Sequence, residues 1–322
     1  MSTSIQQQLN ALKIRPHDAH LMASVGELIA QRSGLSDEDR QLLERAREEL
    51  RSYGRWDAVV RLIDAELVHI DGDGRADLLL LKGQVLKDEL LDDEGAVKAL
   101  QQALDLRPDD EEIEDLVEHI GIVRENWQRI AEKFINEAEA ATDRGLATRM
   151  FLSAAEVTWR NNPDSERVEE CLRRSLEIDA RNQKASAHLE RWLLAKGRVE
   201  ELAGAIHQRA EVSTRPALHA AAMLDLGDLY LWAGVLPLQD VKIDMARALE
   251  CYEAAFAANP RSARAQQTLS AIYEDTQNFV GLASVLAEEV RSTLPAEIAV
   301  EMLVRVGGLY ANELDERRAR QG

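Results

Sequence analysis

The chain has 322 residues, 45% hydrophobic and 30% charged, with a formal net charge of −19. This is ample for a packed core, and with no basic stripe to offset phosphate repulsion it excludes nucleic acid as a partner. The N-terminal MSTSIQQQLN carries no apolar signal core and no stretch is long enough to cross a bilayer, so a cytoplasmic protein without membrane contact is expected.

Residues 2–13 and 18–32 read as two helices broken at Arg15-Pro16, because proline restricts the residue before it and lacks a donor. Val25 and Ile29 stand where packing residues are due, so 1–35 reads as a degenerate capping unit ahead of a repeat array over 36–322. Ser36-Asp37-Glu38-Asp39 opens the next helix with a capping pattern. Leu43, Ala46 and Leu50 form its inner face, and Gly54 turns the chain into Trp56. The segment 71–77, DGDGRAD, reads as a turn. In a calcium loop starting at Asp71, the fifth, sixth and twelfth positions would be Arg75, Ala76 and Lys82, which cannot serve.

Two patterns then alternate. In the first, Ala96, Leu100 and Ala103 lead to Pro108; Val168, Leu172 and Ser175 to Ala180; Ala248, Tyr252 and Ala255 to Pro260. These residues share one helical face, with small residues flanking a large one. Asp92, Asp164, Asp244 and Asp315 each stand four residues before such a face, where Asp is suited to cap a helix. The second pattern has a bulky residue opening a helix: Trp56, Val59, Ile63; Trp127, Ile130, Phe134; Val199, Leu202, Ile206; Phe279, Leu282, Leu286. Its markers are separated by 71, 72 and 80 residues, the last gap holding an apolar insertion near 235–243. The period is therefore about 72 residues, a double unit.

Met223, Leu226, Gly227 and Tyr230 followed by Ala248, Tyr252, Ala255 and Pro260 resemble the tetratricopeptide repeat (TPR) signature, and the alternation resembles that of very large bacterial tandem-TPR proteins. The resemblance covers roughly 40–322. It implies an all-α solenoid of antiparallel helix pairs, stacked as a right-handed superhelix whose first helices line a concave groove. It also implies a non-catalytic scaffold for protein–protein interaction. A regulatory or chaperone-type peptide receptor, or an enzyme built on the solenoid, are the alternatives. Lys82 in place of Leu, and Ser175 and Ala180 in place of Ala and Pro, depart from the pattern. The groove positions include Leu80, Gln84, Val157, Asp228 and Val304, without the Lys and Asn that would grip a peptide carboxylate.

No catalytic, cofactor or metal site is expected. His17 and His20 have no third ligand near in sequence, and no phosphate loop or hydrolase motif occurs. Cys171 and Cys251 hold equivalent positions in different repeats and are not expected to pair, which fits a reducing compartment. The expected partner is a protein or peptide of basic character, contacting Arg160, Arg191, Asp228 and Trp232. At the end of the chain, Leu303, Val306 and Tyr310 precede a helix that only begins at Asp315–Ala319. The expectation there is a truncated last repeat, or an end that docks on another chain, including a second copy.

Overall fold

A computed structural model describes residues 2–14, 19–232 and 244–293, with scattered positions between 300 and 311. Among the described residues there are fifteen α-helices and one π-helical turn, and no strand. The chain divides into two compact units, Met1–Leu189 and Glu190–Gly322.

In the first unit α1 (Ser2–Ile14), α2 (Ala19–Ala30), α3 (Asp37–Ser52) and α4 (Trp56–Glu66) are followed by α5 (Gly72–Val85), which runs into a π-helical turn, Leu86–Leu90. Then come α6 (Asp93–Leu106), α7 (Glu111–Ala140), α8 (Arg144–Asn161), α9 (Glu166–Ile178) and α10 (Gln183–Ala195), whose last turns belong to the second unit. There α11 (Val199–Val212), α12 (Pro216–Trp232), α13 (Met245–Ala258), α14 (Ala263–Asp275) and α15 (Phe279–Thr293) follow. Each unit is a stack of helix pairs, as an all-α solenoid requires.

The pairs close on a contact between small and large residues. Leu100 on α6 is fully buried against Gly83 on α5, where a Cβ would fall 2.7 Å from the Leu100 side chain. Tyr252 on α13 is 1% exposed and lies against Gly227 on α12, where a Cβ would fall 2.6 Å from the ring. Leu172 and Ala155 are buried at the corresponding places of α9 and α8.

Helix starts follow local chemistry. Ser36 and Asp39 form the reciprocal capping box of α3. Asp92 and Asp244 cap α6 and α13, accepting from the backbone N–H groups of Gly95 and Arg247. Asp164 does not cap: the next residue, Ser165, caps α9 instead. Segment 71–77 is not the expected turn: Asp71 is the extended N-cap position of α5, 72–77 form the start of that helix, and Asp73 and Asp77 pair with Arg107.

Three of the four bulky openers begin helices. Trp56, Val199 and Phe279 each follow, by two residues, a left-handed residue: Gly54 at φ 67°, Gly197 at φ 68°, Gln277 at φ 55°. In all three the next N–H reaches back to a carbonyl five residues earlier: Arg55 to Leu50, Arg198 to Leu193, Asn278 to Tyr273. This is the Schellman stop. The fourth opener departs from expectation. Trp127 opens nothing, because α7 runs unbroken through it for 30 residues. Glu125 stands at the left-handed position, where an L-residue other than Gly costs about 1–2 kcal/mol. The Asn126 side chain instead donates back to the Ile122 carbonyl along the helix. Trp127, Ile130 and Phe134 are consequently only half-buried, whereas Val59, Ile63, Leu202, Ile206, Leu282 and Leu286 are buried.

Residues 233–243 and 312–322, where the insertion and a truncated last repeat are expected, lie outside the described residues.

The close approach generates a paired test. Gly227→Ala should destabilise, because overpacking Tyr252 costs about 1–3 kcal/mol, more than the roughly 0.5–1 kcal/mol that a helical glycine forfeits. Gly204→Ala, on α11 with nothing within 4 Å of the new Cβ, should stabilise by that same 0.5–1 kcal/mol. Urea denaturation of both variants measures the opposite signs.

Candidate partner-binding surface

In the second unit a chain of charges crosses five consecutive helices. Arg209 on α11 donates from Nε to Glu190 on α10 at 2.7 Å and from Nη2 to Asp225 on α12 at 3.0 Å. Arg264 on α14 donates to Asp225 at 3.2 Å and to Asp228. Tyr252 on α13 completes it, its hydroxyl donating to Asp228 Oδ1 at 2.8 Å. Burial works against the Arg209 and Arg264 charges, but the facing carboxylates outweigh it and hold both above their ordinary values. Burial first, and then the Asp228 charge, push the Tyr252 hydroxyl well up, so it stays a donor.

The expected contact residues sit as follows. Asp228 belongs to this network and is already engaged by Arg264 and Tyr252. Arg191 is half-buried on α10 and is not free of interactions. Trp232 ends α12, and its side chain lies outside the described residues. Arg160, in the first unit, is mostly buried at the end of α8: it donates to the Lys87 carbonyl at 2.8 Å, and its Nε stands 3.4 Å from Asp93. Burial raises the Asp93 carboxyl above its usual range, against the pull of Arg160 and Lys87. Of the other groove positions, Val157 is buried and Leu80 and Gln84 are half-buried.

A second buried group joins α8 to α10. Glu156 accepts from Lys184 at 2.8 Å and contacts His188 Nε2 at 3.2 Å. The His188 ring is edge-on to Trp159 at 6.1 Å. Burial raises the Glu156 carboxyl, but the hydrogen bond to His188 and the Lys184 charge carry it below its ordinary value.

Cys171 and Cys251 are free and buried, and burial raises each thiol to about 11. Among the described residues no group of three or more His, Cys, Asp or Glu is placed to hold a metal ion; His17 and the His20 side chain lie outside them. No helix among the described residues is long and apolar enough to cross a membrane.

A surface that the sequence pattern did not single out lies on α7. Leu116 and Ile122, the latter 52% exposed, share a shallow depression with Glu111, Glu112, Asp115 and Glu118. The opener pattern, read as a helix start at Trp127, concealed it.

No protein-family model matches the chain, and no curated protein matches it. Among solved structures it is similar to the C-terminal part of a TPR repeat-containing protein from Cytophaga hutchinsonii, at 12% identity and a TM-score of 0.29, covering 82% of this chain and 99% of that one. At that TM-score the likeness bears on neither fold detail nor function, so the repeat architecture rests on this chain's own helix pairs.

Two tests follow from these charges. Asp228→Ala should cost on the order of 3 kcal/mol, because it leaves the largely buried Arg264 guanidinium with Asp225 alone and the Tyr252 hydroxyl without its acceptor. Adding Arg264→Met should recover part of the loss in urea denaturation. A depressed folded-state carboxyl contributes stability that is present above the unfolded value and lost as pH falls through the folded one. The Glu156 contribution should therefore be complete at neutral pH and be lost progressively as pH falls below its ordinary value of 4.5 toward the lowered folded one. In Glu156→Gln, stability measured across that acid range should fall less steeply than in the unaltered chain.

Proposed function

We propose that the chain is a non-catalytic, TPR-like scaffold that binds a protein or peptide, in the cytoplasm, through the concave groove expected of such repeats. The observation that carries this reading is the use to which its ionisable groups are put. Glu190, Arg209, Asp225, Arg264 and Asp228 tie neighbouring helices to one another, α12 to α14 among them, as Glu156, Lys184 and His188 tie α8 to α10 in the first unit. Such groups position helices; the surfaces between them are what the repeat presents. Arg191 and Trp232 are the groove residues proposed to meet the partner, with Asp228 fixing α12, which carries Trp232, and Arg160 fixing α8 to α6. The net charge of −19 favours a basic ligand. Residues 1–35 are proposed to cap the array, and self-association through 303–322 remains a proposal of the same reading.

The test is affinity capture from native lysate at low and raised salt, using the unaltered chain and an Arg191→Ala/Trp232→Ala variant. A partner retained by the first, lost by the second and weakened by salt is expected. Capture that is indifferent to both changes overturns the groove assignment, and substrate turnover by the purified chain overturns the non-catalytic reading.

A further inference from the structure

The straightness of α7 has three causes in the sequence, and together they specify a missing neighbour. The first is Glu125, at the place of Gly54 and Gly197, where a left-handed stop costs more than at glycine; Gln277 bears that cost in the last copy, so this contributes to the unbroken helix without deciding it. The second is Gly121. It occupies the position of Leu50, Leu193 and Tyr273, the buried residues from which the three Schellman stops hang, and it is exposed with nothing within 4 Å of an added Cβ. The third is a pair of charges. Nine residues before the opener and ten after it, the first copy has Arg47 bonded to Glu66, and the third has Glu190 bonded to Arg209. The same two positions around Trp127 are Glu118 and Glu137. Closing this unit as a helix pair would oppose two carboxylates and leave no large residue to fill the seam.

Therefore α7 exposes a face that the closed pairs cover. Glu114 and Gly121 are exposed and Val117 is half-buried against the core, whereas Leu43, Leu50 and Ala46 are buried at the matching positions of α3; Glu118 is exposed where Arg47 is half-buried. Beside it Ile122 lies among Glu111, Glu112, Asp115 and Glu118, with His119 the one basic side chain of the depression and Leu116 packed toward the core. A second copy of the chain cannot occupy the face well, since its 127–140 segment would bring Glu137 back to Glu118.

We propose that the open face of α7 docks a basic amphipathic helix of a protein partner, laid where the second helix of a closed pair would lie. Its cation takes the role that Arg47 and Arg209 play against Glu66 and Glu190, and a large apolar side chain of the partner fills the space over Gly121. Ile122 supplies the apolar contact, and Glu112, Asp115 and Glu118 the rim. Like-for-like charge repulsion selects against acidic helices. None of these residues is among those proposed to meet the groove partner, so Arg191→Ala/Trp232→Ala alters none of them, and failure of either reading is seen without the other.

The probe is a fluorescently labelled synthetic amphipathic helix of Leu and Lys, with a Leu and Glu helix of the same pattern as its control. Anisotropy titration should show binding of the first and not the second. Glu112→Gln/Asp115→Asn/Glu118→Gln should weaken binding about tenfold, while Glu166→Gln/Glu170→Gln/Glu177→Gln, an equal neutralisation on exposed positions of α9, should not. Hydrogen exchange should place new protection on 112–130. Equal loss in both triple variants means general charge attraction and overturns the proposal, as does protection elsewhere. A free chain that is dimeric through α7 assigns the face to a second copy, and free-chain amides at 124–126 exchanging as a turn mean that the unit closes on itself. Either result also overturns it.

Discussion

Everything in this molecule depends on how closely two helices of a pair can approach. A helix backbone can come near its neighbour only where one side lacks a Cβ or carries a single methyl, and a large residue opposite then locks the register. Gly83 against Leu100 and Gly227 against Tyr252 are the tightest instances. The ionic links are consequences of that approach. Tyr252 reaches Asp228 because its ring lies across Gly227 on the same helix as the carboxylate. Once Asp228 is fixed, Arg264 can bridge it to Asp225, and Arg209 can extend the bridge to Glu190.

Such a network is a statement about specificity more than about gross stability. Buried ion pairs roughly offset their desolvation, so their worth lies in what they forbid. A helix sliding by one turn past its neighbour would leave Arg209 or Arg264 among apolar atoms without a counter-charge, and the apolar seam alone would resist that slide less.

The parts of this architecture that are legible in the sequence are those set by local rules. The alternation of small and large residues at Ala248, Tyr252 and Ala255 gave the buried face directly, and Ser36 with Asp39 announced a helix start. Asp92 and Asp244 could be read as caps because a side-chain oxygen needs only the backbone three residues on. Asp164 misled because Ser165, one residue later, can do the same work. What could not be read was the fate of the Trp127 unit. Its apolar spacing matches the other three, and the difference lies in residues outside that spacing: Glu125, Gly121, and a Glu118–Glu137 relation visible only when two distant helices are superposed. The contact residues fared similarly. Asp228 falls on a groove position by register and Arg160 is an expected contact, yet long-range partners claim both, and sequence spacing does not reveal which polar residues are spoken for.

The reversal between Arg47–Glu66 and Glu190–Arg209 bears on how such a chain reaches its structure at all. Internal repeats invite helices to marry the wrong copy during folding, and misassembly between similar units is a characteristic failure of repeat arrays. Here the first helix of one copy, offered the second helix of the other, would meet its own sign: Arg47 facing Arg209, or Glu190 facing Glu66. The polarity flip labels each pair as distinct while the apolar seams stay interchangeable. Two units of nearly equivalent shape are thereby kept from exchanging parts as they form.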